Sequence, residues 1–161
     1  MRRGLSIAAA LMILATAPAC YADTSCKPYM DYRSITDKTS KQYQLVSEMS
    51  ADETGVLIND SGDYAVAMGS AWGAVGDRFT VTLDDGKTFT VIMADMKQDR
   101  HTDKTHRFDA FGGIIEFIID RQSEAAKQNV WSNGYVWQGN FNNNPLFSGE
   151  ITSVERIDEE K

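Results

Sequence analysis

The sequence predicts a mainly β protein, built as a closed barrel of six short strands with two short helices. From Thr54 onward, short runs rich in β-branched residues alternate with turn residues. The dipeptide Asp85-Gly86 stands between two runs of alternating hydrophobicity, which is typical of a tight β-hairpin. Most of these strands follow one another without an intervening helix, so a closed barrel is favoured over a doubly wound sheet.

The pattern of residues 1–22 predicts a signal peptide. Basic residues precede an apolar run from Leu5 to Ala17, and small residues follow up to Ala22. A run of about 13 residues is too short to span a bilayer, so we expect no membrane span in the mature chain. Cleavage after Ala22 is preferred over a lipid-anchored start at Cys20, because Ala17 stands where lipoprotein signals usually carry Leu. The chain is therefore expected to be secreted or held at the cell surface.

Residues 23–53 predict an N-terminal arm and a short helix. Thr39 or Ser40 is a suitable helix cap, because Tyr43, Val46 and Met49 follow at helical spacing. The arm is rich in apolar side chains, so we expect it to pack against the barrel.

Removal of the signal leaves a single cysteine, Cys26, so no intrachain disulfide can form. We interpret Cys26 as a dispensable residue close to the new terminus.

Residues 54–161 predict the barrel domain. The expected strands span 54–60, 64–69, 78–83, 88–94, 112–120 and 149–157. A loop of about 17 residues, from Asp95 to Phe111, is long enough to suggest a functional segment. A second helix is expected over 121–129, followed by an aromatic loop rich in Asn and Gly.

The charge balance excludes two classes of partner. Without Arg2 and Arg3 the chain has 14 basic and 23 acidic residues, a net charge of −9 with histidine neutral. Such a surface repels phosphate, so neither nucleic acid nor an anionic membrane surface is an expected partner.

The pattern "YAVAMGS…VGDRFTV…TFTVIMAD…GGIIEFIID" resembles the double-psi β-barrel domains of cell-wall-active proteins. The resemblance is to the "3D" domains in particular, named for three aspartates, whose relatives include lytic transglycosylases, expansins and some endoglucanases. It covers residues 55–120 and implies a six-stranded double-psi barrel. The stretches "YMDYRSITDKTSKQYQL" and "ADMKQDRHTD" are also similar to a family of uncharacterised exported proteins of Gram-positive gut bacteria and their mobile elements.

This resemblance implies an acidic site. Ala94-Asp95 matches the second acid position of the 3D domains, and Ile115-Glu116 matches the third with Glu in place of Asp. The first position is unmatched, because Met68 and Gly69 stand where that aspartate would be.

Asp95 and Glu116 are also candidates on chemical grounds. Cleavage of a glycosidic bond needs a carboxyl that gives a proton to the leaving oxygen, and burial or a neighbouring carboxylate raises its pKa. A lytic transglycosylase manages with one acid, since the muramyl 6-hydroxyl attacks, whereas an inverting hydrolase needs a second carboxylate about 6.5–9.5 Å away. Both mechanisms stay open. The structural alternatives are that Asp95 caps backbone N–H groups of the long loop, and that Glu116 lies on a solvated face shared by Ile114 and Ile118.

Further acids and aromatic residues flank these two positions. The acids and histidines between 99 and 106 match neither a calcium-loop nor a zinc pattern, so no metal or other cofactor is expected. Exposed aromatic rings could stack on sugars, although large aromatics also serve as core or loop anchors. The predicted substrate-binding residues are Asp99, Asp103, Trp131, Tyr135 and Trp137.

Two functions remain. The first is an exported peptidoglycan-active enzyme, a lytic transglycosylase or glycoside hydrolase with Asp95 as general acid and Glu116 as the neighbouring or second carboxylate. The alternative is a non-catalytic cell-wall-binding or surface accessory module on the same barrel. In both cases the expected partner is peptidoglycan or another cell-wall glycan.

Overall fold

The structure, a computed structural model, describes residues 23–128 and 139–158. Within these ranges the chain forms eight strands and two short α-helices. The strands are β1 (Tyr29–Asp31), β2 (Ser50–Ala51), β3 (Leu57–Ile58), β4 (Tyr64–Met68), β5 (Arg78–Leu83), β6 (Thr88–Met96), β7 (Ile115–Ile119) and β8 (Ile151–Arg156). The helices are α1 (Lys41–Ser47) and α2 (Glu124–Ala126).

The strands form one open, mixed sheet. Six of them follow the order β1-β7-β4-β6-β5-β8, and β2 and β3 extend the sheet from one end of β4. The pairs β1–β7 and β4–β6 are parallel, and the other pairs are antiparallel. The fold is therefore mainly β, as predicted, with two helices.

The predicted closed barrel of six strands is not the arrangement of this sheet. The six expected strands are all present as β3 to β8, but the arm adds β1 and β2. Because β1 pairs with β7, it becomes one edge of the sheet, and β8 is the other edge in the described part of the chain. The N–H of Ile151, at the start of β8, donates to the carbonyl of Thr24 at 3.3 Å, which joins the N-terminal arm to this edge.

Local signals at the turns and caps are confirmed. Gly86 has a φ of 83° in the turn between β5 and β6, which is why the residue after Asp85 is a glycine. Ser40 caps α1 by accepting a hydrogen bond from the N–H of Tyr43. The helix α2 lies within the predicted stretch and begins after Ser123, whose side chain accepts from the N–H of Ala126.

Each face of the sheet carries a core. The inner core contains side chains from β4 to β8 together with Phe141 and Phe147, whose rings lie 4.9 and 4.5 Å from the ring of Phe117. The outer core is smaller and lies between the sheet, α1 and the arm. Its buried members are Val46, Leu57, Ala65, Ala94 and Ile118.

The outer core decides what lies around Glu116. Ile118 shares its face of β7 and is buried in the outer core, whereas Ile114 packs in the inner core. This face is therefore covered at Ile118, while the side chain of Glu116 itself stays 23% exposed. The expectation that the arm packs against the sheet is confirmed, since β1 is itself part of the ladder.

Lys27 fixes the arm to the opposite side of the molecule. Its side chain is fully buried, and its ammonium donates to the carbonyls of Ser25 and Gly149 at 3.3 and 2.6 Å and to Oδ1 of Asn142 at 3.0 Å. Burial lowers the pKa of Lys27 to about 8, against the opposing effects of Asp84 and other nearby acids. The residue is thus a hydrogen-bonding bridge across the open side of the sheet.

We predict that Lys27→Met lowers the free energy of unfolding by about 1–3 kcal/mol, because buried acceptors lose their donor. The pKa of Lys27 lies lower in the folded chain, at about 8, than its ordinary 10.5, so the unfolded chain holds more protons between these values. The advantage of the wild type should therefore grow as the pH rises from 8 to 10. Urea unfolding at several pH values measures both effects. The exposed Lys38→Met is the control, and equal stability of the two variants would contradict the bridge.

Candidate functional site

Asp95 owes its position to a β-bulge in β6. Met93 lies in the inner core, and strict alternation along the strand would place Asp95 there as well. The register with β4 shifts between Val66, which pairs with Met93, and Ala67, which pairs with Asp95. Ala94 is the extra residue, and bulges of this kind redirect the side chains that follow them. Asp95 therefore lies on the outer face, whereas the next residue along packs on the inner core.

Asp95 and Glu116 lie on the same face, on either side of Ala67. Ala67 pairs with Asp95 on β6 and with Glu116 on β7, and directly paired residues project to one side of a sheet. With one strand between them, their Cα atoms are about 10 Å apart. The structure thus places the two predicted acids on the two sides of β4, on the same face of the sheet.

Two further residues complete this group, and sequence reasoning did not find them. The ammonium of Lys97 donates to Oε2 of Glu116 at 2.6 Å and to Oδ2 of Asp109 at 3.4 Å. The side chains of Lys97 and Asp109 are only 10% and 7% exposed, so this ion pairing is largely shielded from water. We refer to Asp95, Lys97, Asp109 and Glu116 as the carboxylate site.

The signal for Lys97 was its spacing from Asp95. Residues 95 and 97 share a face of the sheet because they are two apart. Which face they share depends on the bulge, and the bulge leaves no clear mark in the sequence. Asp109 could be suspected from the two glycines at 112 and 113, which allow a turn to close on its carboxylate. Its Oδ1 accepts from the N–H groups of Phe111 and Gly113, both at 2.9 Å.

The carboxyl of Asp95 is chemically distinct within the site. Burial raises its pKa above the ordinary 3.8, and the negative charge of Glu116 acts in the same direction. The N–H of Met96 and the ammonium of Lys97 oppose this rise but do not cancel it. Asp95 therefore keeps its proton to a higher pH than an exposed aspartate, whereas Glu116 has a cation against its oxygen.

Cys26 lies at the edge of the carboxylate site. A Cβ atom added to Gly113 would lie 2.8 Å from the carbonyl oxygen of Cys26 and 3.0 Å from Oδ2 of Asp109, so the three residues meet closely. Burial raises the pKa of the Cys26 thiol, and the charge of Asp109 adds to the rise. The thiol is therefore held in its protonated, weakly nucleophilic form.

The predicted binding residues Asp99 and Asp103 organise the loop. Asp99 is exposed and accepts a hydrogen bond of 2.8 Å from the hydroxyl of Ser70. Asp103 accepts from the hydroxyl of Thr105 at 2.7 Å and from the N–H groups of residues 107 and 108. The hydroxyl of Thr105, followed by these backbone donors, lowers the pKa of Asp103 to about 2. Their described contacts thus hold the loop, apart from the carboxylate site.

The tryptophan and tyrosine residues of the loops fall into two groups, the predicted binding residues and Trp72. Trp131, Tyr135 and Trp137 lie outside the described residues. Trp72 is a loop anchor, because its indole N–H donates to the carbonyl of Arg107 at 2.9 Å and the guanidinium of Arg107 lies 5.1 Å from its ring centre.

Two concave surfaces lie away from the four residues of the carboxylate site. A cavity of 550 Å³ is lined by Lys41, Arg78 and Arg156, among others, and the two arginines there are already paired with Asp63 and Asp77. A second, of 410 Å³, lies beside α1.

No three His, Cys, Asp or Glu side chains within 23–128 and 139–158 are grouped so that they could hold a metal ion. In the same part of the chain, no helix has the length and apolar character needed to cross a bilayer. Comparison with protein-family models, curated proteins and solved structures gives no match.

We predict that Lys97→Met lowers the free energy of unfolding by about 2 kcal/mol, because two shielded carboxylates lose their shared cation. Lys127→Met is a matched control, since Lys127 also lies 2.6 Å from a glutamate oxygen but on the exposed surface. Its cost should be below about 0.5 kcal/mol. Adding Glu116→Gln to Lys97→Met should recover part of the loss, as urea unfolding of the four proteins would show. Equal costs for the two lysine variants would contradict the shielded pairing.

We predict that Asp95→Asn raises the melting temperature by a few degrees at pH 7. The folded pKa of Asp95 is raised, so its contribution to stability is complete below pH 3.8 and is lost as the pH rises through the folded value. Asn removes the loss at neutral pH but changes little near pH 3, where Asp95 is neutral as well. Calorimetry at both pH values measures this. A lower melting temperature at pH 7 would instead support the structural role, in which the carboxylate caps backbone N–H groups.

Proposed function

We propose that this chain is an exported peptidoglycan-active enzyme, a lytic transglycosylase or glycoside hydrolase, with Asp95 as its general acid. The observation that carries the proposal is the half-buried Asp95 carboxyl, which the bulge in β6 places beside Glu116 and whose pKa burial raises. A carboxyl of this kind can give up a proton near neutral pH, as glycosidic cleavage requires.

The double-psi barrel relationship is part of this proposal. It is supported by the neighbouring positions of Asp95 and Glu116, which the resemblance to the 3D domains assigns to the second and third acids. Export and removal of residues 1–22 belong to it as well, and rest on the sequence of the leader.

As a transglycosylase, the enzyme acts in two proton transfers. Asp95 gives its proton to the glycosidic oxygen as the bond from that oxygen to the anomeric carbon breaks. The muramyl 6-hydroxyl then bonds to the anomeric carbon, and its proton passes to the Asp95 carboxylate, which restores the starting state. As a hydrolase, water takes the place of the 6-hydroxyl, with Glu116 as the second carboxylate.

Glu116 and Lys97 determine the charge environment of the Asp95 carboxyl. The charge of Glu116 raises the pKa of Asp95, and that of Lys97 lowers it. The negative charge of Glu116 also favours an anomeric carbon that becomes positive in the transition state. Lys97 keeps Glu116 oriented through the 2.6 Å hydrogen bond.

A non-catalytic wall-binding module is the second candidate. One observation favours it: the first acid position of the 3D domains carries no carboxylate here. Met68 is buried in the inner core, and a Cβ atom added to Gly69 would overlap with the carbonyl oxygen of His106. The loop that contains His106 therefore occupies the space that a side chain at the first acid position would need.

We predict that Asp95→Asn reduces muralytic activity by about 100-fold or more, since Asn has the size of Asp but cannot act as an acid. Digestion of purified sacculi followed by muropeptide analysis measures this. Products with 1,6-anhydromuramyl ends indicate the transglycosylase, and reducing ends indicate the hydrolase. Wild-type activity should fall as the pH rises through the raised pKa of Asp95.

Asp60→Asn is the control for this substitution, because Asp60 is an exposed aspartate on the turn between β3 and β4. It should digest sacculi at the wild-type rate. If Asp95→Asn does so too, the catalytic role is wrong. Binding of the wild type to sacculi without any product supports the wall-binding module.

A further inference from the structure

Phe111 is an exposed aromatic side chain next to the carboxylate site. It is 76% exposed, more than Leu146, the other exposed large hydrophobic residue in the described part of the chain. Phe108, three residues earlier in the same loop, is half-buried and packs against the inner core. The loop thus buries one phenylalanine and exposes the other.

A single exposed hydrophobic residue is ordinary, so exposure alone says little. What distinguishes Phe111 is that its backbone is fixed. Its N–H donates to Oδ1 of Asp109 at 2.9 Å, and the turn closes through a bond of 3.0 Å from the N–H of Gly112 to the carbonyl of Asp109. Gly112 has a φ of 87°, a conformation that favours glycine.

The same carboxylate joins Phe111 to the proposed catalytic acids. While Oδ1 of Asp109 holds the turn, its Oδ2 lies 3.4 Å from the ammonium of Lys97, which in turn donates to Glu116. The position of Phe111 relative to Glu116 is therefore set by three consecutive polar contacts, and Asp109 itself is almost fully buried.

We infer that Phe111 is a substrate-binding residue that packs against the C–H face of a sugar ring in the glycan strand. The inference rests on the proposed function, because that function supplies the polymer. A sugar ring offers an apolar face that matches an aromatic ring, and a ring on a pre-formed turn loses little conformational freedom on binding. Phe111 positions the strand, while Asp95 and Glu116 carry out the chemistry.

The test is binding to purified sacculi by co-sedimentation, with every variant made in the Asp95→Asn protein so that the glycan is not consumed. Phe111→Ala should weaken binding about fivefold, the loss expected for one aromatic contact. Phe111→Trp should restore binding, because it keeps an aromatic face. Leu146→Ala is the matched control and should bind as the parent does. Melting temperatures should be unchanged for all three, since both side chains are exposed.

The outcomes separate this inference from the proposed function. Equal binding by Phe111→Ala and its parent overturns the inference and leaves the acid role of Asp95 standing. Continued digestion of sacculi by the Asp95→Asn parent overturns that acid role, while the effect of Phe111→Ala on binding still decides the inference. Failure of the parent to bind sacculi overturns both.

Discussion

The bulge at Ala94 is the constraint on which the rest of the structure depends. Along β6 the odd-numbered side chains fill the inner core as far as Met93, and an uninterrupted strand would place Asp95 among them. A carboxylate there would be without water and without a partner, at a cost of several kcal/mol. One extra residue exchanges the two faces, so that a methionine enters the core and the acid leaves it. The price of the bulge is one interrupted ladder position.

The exchange leaves Asp95 neither buried nor free. It lies beside the outer core, whose apolar side chains exclude water on one side, and beside Glu116 and Lys97 on the other. Lys97 reaches the same face because it follows Asp95 by two residues. One local irregularity therefore accounts for the burial of Asp95 and for its position beside Glu116 and Lys97.

Much of the fold could be predicted from local patterns, and little of the site could. Asp85-Gly86 and the cap of α1 each act within a few residues, so the sequence predicts the turn and places the cap at Thr39 or Ser40, of which the structure uses Ser40. The pairing of β1 with β7, which adds a strand to the six that the sequence predicts, joins residues far apart in sequence and has no local signature. The resemblance to the 3D domains, and the presence of acids inside hydrophobic strands, predict Asp95 and Glu116. Lys97 and Asp109 escaped notice because a lysine and an aspartate in a polar loop are indistinguishable from solvated surface residues.

The bridge formed by Lys27 and the strand beside it have a consequence for the order of folding. Tyr29 pairs with Phe117, and the acceptors of Lys27 on Asn142 and Gly149 are 115 and 122 residues further along the chain. During synthesis, which starts at the N-terminus, β1 is therefore complete long before the residues that pair with it are made. Contacts of such separation form late, since each must close a long loop before it contributes. The beginning of the described chain is thus the part that is secured last, and until then β7 has an open edge to which another chain could add a strand.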